Sequence, residues 1–275
     1  MNISELLIEG RNLLEAAHIS DAKADTRKML RHIIQAEGAL LDLEAVLTEE
    51  QIAKARKMFG KRASHQPVSQ ILGYREFWGR EFVVNSDTLD PRPDSELIIE
   101  RVLTTVPARS ILDLGTGTGC LLLTVLSEWP NSKGTGVDKS KAALKVASRN
   151  AKALGLDERA EFLQSDWFSN LIPPFDLILC NPPYISMSEL EQLDPEVRDW
   201  EPHLALSPGK DGLSAYRSIA EDLPSYLASG GRGIFEIGHE QAEAVSEIFM
   251  KVGFLKIDVY QDINGKDRVV EVCKT

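Results

Sequence analysis

Cysteine is scarce in this chain: three among 275 residues, Cys120, Cys180 and Cys273, each in an apolar or strand-like stretch. Their spacing suggests no pairing, so a disulfide scaffold is excluded and a reducing, cytoplasmic compartment is expected. Long apolar runs are missing as well. Neither a secretory segment nor a twenty-residue apolar span is present, which predicts a soluble protein with no membrane partner. Positive charge is in deficit, with 31 Lys and Arg against 42 Asp and Glu, a formal charge of -11 and a pI near 5.0. That balance argues against a broad phosphate-binding face, so no nucleic-acid partner is expected. His18, His32 and His65 share no metal-ligand spacing, and no metal is expected. Internal repeats and low-complexity tracts are absent, which excludes repeat scaffolds.

What is there organises into a small helical part and a larger α/β part. Leu6, Leu7, Leu13, Leu14 and Ala17, then Met29, Leu30, Ile33 and Ile34, recur at helical spacing. A third helix carries Ile52, Ala55, Met58 and Phe59, opened by Thr48 with Gln51 three later, a capping box. Lys54, Arg56, Lys57, Lys61 and Arg62 on that helix read as a solvated face, with an acidic patch on a protein partner as the alternative. Residues 1–73 are thus predicted to form a helical bundle. Residues 74–92 are read as a linker containing a β-hairpin around Gly79, and residues 93–275 as one α/β domain. In the last, helix gives way to alternating strand and helix, the mark of a parallel sheet covered on both faces. Ile185 to Lys210 is polar, proline-dotted and too long for a simple connection, so a flap over the site is expected. Gly230-Gly231 is read as a turn into a strand at Gly233–Ile237, and two strands flanking Asn264-Gly265 as an antiparallel closing pair.

Two motifs carry the chemistry. Phe175, Leu177, Ile178 and Leu179 read as a buried strand that Asn181-Pro182-Pro183-Tyr184 stops. At a strand's carboxyl end the Asn181 side chain and the Pro182 carbonyl are two acceptors that can hold an NH2 group by both hydrogens. A plain turn is the alternative. Upstream, Arg109 to Gly119 reads as a strand running into Gly115-Thr116-Gly117-Thr118-Gly119, with Asp113 on the strand and a helix following. The next strand delivers Asp138, at the distance where an acid meets ribose hydroxyls; assisting the helix cap of Ser140 is the alternative. The loop lacks the Lys-Ser/Thr ending of a triphosphate cradle. S-adenosylmethionine fits such a site: ribose at Asp138, the methionine chain beside the glycines, the sulfonium methyl near Asn181. Asp166 is placed to accept from the adenine amino group and Trp167 to form an aromatic wall, a turn acid and a core tryptophan being the alternatives.

These motifs resemble class I methyltransferases that methylate amino groups. Arg75–Phe82, Asp90–Glu96, Val197–Leu206, Asp211–Ile219 and Asn264–Val272 narrow the resemblance to the release-factor glutamine methyltransferases, the PrmC/HemK protein-(glutamine-N5) family. The resemblance implies a Rossmann-like class I domain behind an N-terminal helical partner-recognition domain. It implies S-adenosylmethionine as cofactor, S-adenosylhomocysteine as product, and peptide-chain release factors as protein substrate. It further implies that Gly115 to Gly119, Asp138, Trp167 and Asn181 contact the cofactor, and that Asn181 to Tyr184 hold the glutamine of a Gly-Gly-Gln loop. Two departures from the family pattern are Asp90 and Ser95.

In the proposed chemistry Asn181 Oδ1 and the Pro182 carbonyl orient the amide nitrogen, and Tyr184 packs on the flat amide. Arg92 is added as a substrate-side candidate, although tying the linker to the domain is as fitting a role for Arg92 and Glu96. Glu236 ends a strand and is either turned to the site or an edge carboxylate. The expected assembly is a monomer. Alternatives are methylation of a ribosomal-protein glutamine, of a nucleic-acid adenine, or a silent adaptor.

Overall fold

A computed structural model describes residues 1–35, 41–207, 209 and 211–275. Pro208 and Lys210, in the expected flap, lie outside the described residues. The chain divides into two units, Met1–Tyr74 with Asp194–Trp200, and Arg75–Leu193 with Glu201–Thr275.

The first unit packs α1 (Ile3–Ala16), α2 (Ala22–Ile34), α3 (Glu49–Ala63) and α4 (Val68–Leu72) around Leu6, Leu14, Met29, Leu30, Met58 and Phe59. Asn2 with Glu5, and Thr48 with Gln51, form reciprocal capping boxes that start α1 and α3 where the sequence predicts. Gly10 lets α1 and α3 approach closely, because a Cβ there would come within 2.6 Å of the Phe59 ring. Arg62 departs from the expected solvated face. It is 5 % exposed and paired with Asp25 at 2.6 Å and Glu196 at 2.5 Å. A long guanidinium on a helix edge can fold inward when carboxylates meet it there, and helical spacing alone does not reveal them. Trp200 joins the same unit, its indole N–H donating to the Ser64 carbonyl and its own carbonyl accepting from Gln70 Nε2.

The second unit opens with a hairpin, β1 (Tyr74–Phe77) and β2 (Arg80–Val83). Its two-residue turn places both Trp78 (φ 50°) and Gly79 (φ 67°) in the left-handed region, the backbone that matches the strands' twist. Glu96 accepts from the Trp78 N–H at 2.9 Å and so steadies this turn. A single 3-10 turn, Pro93–Ser95, leads into α5 (Glu96–Leu103). Then follow β3 (Ser110–Leu114), α6 (Cys120–Glu128), β4 (Lys133–Asp138), α7 (Lys141–Ala153), β5 (Ala160–Gln164) and β6 (Phe175–Cys180). The flap stretch holds three one-turn helices, α8 (Met187–Leu190), α9 (Pro195–Arg198) and α10 (His203–Leu206). The chain ends with α11 (Ser214–Tyr226), β7 (Leu227–Glu236), α12 (Ala242–Lys251), β8 (Lys256–Gln261) and β9 (Asp267–Cys273).

Among the described residues the main sheet has seven strands in the order β5-β4-β3-β6-β7-β9-β8. The first five pair in parallel, and β9 runs antiparallel to both β7 and β8. Helices cover both faces over two apolar layers, one centred on Leu112, Ile178 and Phe235, the other on Ile111, Leu177 and Leu179. This is the Rossmann-like class I methyltransferase arrangement expected from the resemblance. The turn expected at Gly230-Gly231 is present, with Gly230 at φ 74°, and it falls inside the span of β7. The β6–β7 register shifts between Phe175 and Leu177, so an irregularity in the strand does the work of a loop.

Candidate active site

Chain order places the site. From β3 the chain moves outward to β4 and β5, then returns to β6 on the other side of β3. The crevice between β3 and β6 is therefore a topological switch point, where ligands of open parallel sheets bind. Register aligns the carboxyl ends there: Leu114 pairs with Val137 and with Cys180, and Cys180 pairs with Phe235. The glycine loop, Asp138, Asn181 and Glu236 each end one of these strands or follow it directly.

A cavity of about 640 Å³ opens at this edge. Gly115, Gly117, Asp138, Asp166, Trp167, Asn181 and Pro183 all line it, together with Pro202, Leu204 and Ser207 from the flap stretch. Asp138 accepts from the Gly117 N–H at 3.0 Å through one carboxylate oxygen and from the Ser140 N–H at 2.8 Å through the other. Burial raises its pKa while these backbone donors pull it back. The cap of α7 belongs to Ser140, whose hydroxyl accepts from the Ala143 N–H; Asp138 assists it by holding the Ser140 N–H and lines the cavity as well. Trp167 sits at φ 51°, an unusual conformation for a bulky residue and one found where surrounding structure fixes a functional side chain. Asp166 pairs with Lys139 at 2.8 Å, both more than half exposed at the rim.

Other candidates stand elsewhere. Thr116 Oγ1 donates to the buried Asp113 carboxylate at 2.6 Å, Thr118 offers its carbonyl to Asn150, and Gly119 closes the first turn of α6. None of the three faces the cavity; they shape the loop that Gly115 and Gly117 present. Burial pushes the Asp113 carboxyl up to about 7. Pro182 is buried, and Tyr184 donates its hydroxyl to Glu236 at 3.2 Å instead of lining the cavity. Arg92 is paired with Glu201 at 2.6 Å and Asp90 is buried, both off the cavity wall.

The residue that sequence reasoning missed is Ser95. Asn181 Nδ2 donates to Ser95 Oγ at 3.0 Å, and Ser95 Oγ donates to Glu236 at 2.5 Å. Glu236 is fully buried, and desolvation pushes its carboxyl up to about 7 against the pull of the two hydroxyls. In the sequence Ser95 reads as an ordinary helix cap, and only the structure shows that its hydroxyl makes no cap bond. Among the described residues no group of three or more His, Cys, Asp or Glu is arranged to hold a metal, and no helix is long and apolar enough to cross a membrane.

Residues 5–73 match the PrmC N-terminal domain family, and residues 76–193 match the Methyltransferase small domain family. The chain is 48% identical to a Release factor glutamine methyltransferase of Cereibacter sphaeroides, over 94% of this chain and 93% of the relative. A protein of the same name from Caulobacter vibrioides is 41% identical over 94% and 92%. Among solved structures, a methyltransferase from Pyrococcus furiosus superposes with a TM-score of 0.56 at 16% identity, covering 81% of this chain and 98% of that one. The hMettl16 catalytic domain gives 0.58 at 14% identity, with 85% and 86% covered. At such identities the last two speak to fold alone.

Proposed function

We propose that this chain, which belongs to the release factor glutamine methyltransferase family, methylates the side-chain amide nitrogen of the glutamine in the Gly-Gly-Gln loop of peptide-chain release factors. The observation that carries the reading is that Asp138 and Asn181 line one cavity at the switch point of the sheet. The methyl donor in this reading is S-adenosylmethionine, which supplies a methyl group already activated on a sulfonium. The cavity suits it. About 640 Å³ lies within the usual range for small-molecule sites. Each Asp138 oxygen has one backbone donor and keeps lone-pair capacity for a ribose hydroxyl. Trp167 supplies an aromatic wall, and glycine at 115 and 117 permits the left-handed backbone (φ 67° and 53°) that runs along the cavity.

The residues on the substrate side then have an orienting task. A carboxamide nitrogen is a weak nucleophile because its lone pair is delocalised into the carbonyl. Asn181 Oδ1 and the Pro182 carbonyl accept its two hydrogens, which holds the nitrogen in place and favours the positive charge that develops there as the methyl arrives. The methylated nitrogen is strongly acidic and gives up one proton to solvent, so no charged base is required. Pro202, Leu204 and Ser207 of the flap stretch form one wall of this edge. The N-terminal helices are assigned to recognition of the release factor body, with a single chain as the working unit in the cytoplasm.

Transfer of radiolabelled methyl to purified release factor tests this reading, with the Gly-Gly-Gln glutamine intact or replaced, beside ribosomal protein and DNA. Label confined to the intact glutamine is the expected outcome. Label on DNA or ribosomal protein, with none on the release factor, overturns it.

A further inference from the structure

We propose that Ser95 and Glu236 are positioning residues that dictate which edge of the Asn181 amide meets the substrate; the proposal rests on the function assigned above. Ser95 Oγ lies 2.5 Å from Glu236 Oε2 and 3.0 Å from Asn181 Nδ2. A hydroxyl has one proton to give, and an ionised carboxylate can only accept. The Ser95 proton is therefore committed to Glu236, and Ser95 meets Asn181 as an acceptor. Only the NH2 edge of the amide satisfies that, so Oδ1 is left as the free edge of a side chain that lines the cavity.

That edge is the one the chemistry needs. A glutamine NH2 brings two donors and no acceptor, so an Asn181 turned over would set donor against donor. Asparagine has no intrinsic preference between its two orientations, and in an apolar crevice the partner on the far side decides. The partner here is rigid. Ser95 is 2% exposed and Glu236 0%. The second Glu236 oxygen accepts from Tyr184, and its backbone carbonyl accepts from the Tyr216 hydroxyl at 2.8 Å. The other groups facing this carboxyl are Asp94, which opposes its ionisation, Arg268, which favours it, and the thiols of Cys120 and Cys180.

The same chain of bonds gives the site a pH dependence. When Glu236 is protonated it can donate to Ser95 Oγ, which frees the serine proton to turn toward Asn181 and select the wrong edge. Burial pushes the Glu236 carboxyl up to about 7, so turnover should rise as pH increases through that value.

The test uses the full chain with S-adenosylmethionine and release factor, comparing Ser95→Ala, Ser95→Thr, Glu236→Gln and Asn181→Ala. Expected is a loss of kcat of about tenfold or more in Ser95→Ala, the size of one misdirected hydrogen bond. KM and the S-adenosylmethionine Kd should stay within about threefold, which separates positioning from folding damage. Ser95→Thr, which keeps the hydroxyl, should restore most of the kcat. The rise of kcat through neutral pH should vanish in Glu236→Gln, although Asp113 still titrates nearby. Wild-type kcat in Ser95→Ala, or a pH rise that survives in Glu236→Gln, overturns the proposal, and the pH profile of that near-isosteric variant decides if Ser95→Ala does not fold. Asn181→Ala separates the two levels. Normal turnover there sinks the orienting role given to Asn181, no label on release factor from the wild type sinks the assigned function, and a dead Asn181→Ala beside a normal Ser95→Ala sinks only the positioning role.

Discussion

At the end of β4, Asp138 takes its hydrogen bonds from the backbone N–H groups of Gly117 and Ser140; at the end of β7, Glu236 takes its own from the hydroxyls of Ser95 and Tyr184. A backbone N–H has its proton fixed in place, so Asp138 is always addressed in the same sense. A hydroxyl proton rotates, so once Glu236 takes up a proton the bonds around it can reverse their direction without any atom heavier than hydrogen moving. The first arrangement suits a task identical in every turnover, the holding of ligand hydroxyls. The second suits a place where a neutral amide must be told which way to face. Exposure follows the same division: Asp138 is partly open to its cavity, whereas Glu236 is sealed.

Breaking the substrate-side arrangement should have the largest effect. Asn181→Ala is expected to lower turnover on the order of 10²–10³-fold, as loss of a group aimed at developing charge does. Its S-adenosylmethionine Kd, read by calorimetry, should stay within about threefold; a large loss of affinity would merge the two halves of the site into one.

Stability against pH probes the sealed carboxylate next. Glu236 has an ordinary pKa of 4.5 and a folded-state value of about 7. Between those values the folded state retains a proton that the unfolded chain releases, so this group favours folding most below 4.5. Its contribution is lost as pH rises through 7, by on the order of 3 kcal/mol. Denaturant unfolding at pH 5 and pH 8 should therefore show Glu236→Gln gaining on the wild type as pH rises. An unchanged gap between them would mean that the carboxyl titrates alike in both states.

Asp138→Ala should weaken S-adenosylmethionine binding by about 30-fold, close to 2 kcal/mol for a charge-assisted pair of contacts. The readout is calorimetric Kd, with kcat at saturating cofactor changed far less. Smallest is Ser140→Ala. Removing the α7 cap should cost about 1 kcal/mol of stability in thermal unfolding. The backbone N–H that serves Asp138 survives the change, so Kd should hold within about twofold. A Kd that moves with the cap would show the helix start, and not the N–H alone, to be part of the grip.

Sequence made the β4 side of the site readable because its parts are close in the chain. The Gly117–Asp138 bond spans 21 residues and follows a strand-loop-helix-strand order with its own spacing rules. The hairpin turn at Trp78-Gly79 and the capping box of Thr48 and Gln51 were legible for the same reason. Asn181 announces itself through the prolines that end its strand. Its partners do not: Ser95 lies 86 residues away, and Ser95 and Glu236 are 141 apart. Such pairs are created by strand order, which no local pattern encodes. Arg62 was misread for a related reason, since one of its two carboxylate partners, Glu196, comes from the far side of the chain's midpoint.

That last contact has a consequence for how the protein is made. The helices α1 to α4 leave the ribosome long before Asp194–Trp200, the stretch that completes their unit. Gln70 and Trp200 are separated by 130 residues, a delay on the order of ten seconds at ordinary elongation speeds. For that interval the newborn helices lack the partners that Glu196 brings to Arg62 and Trp200 brings to Ser64.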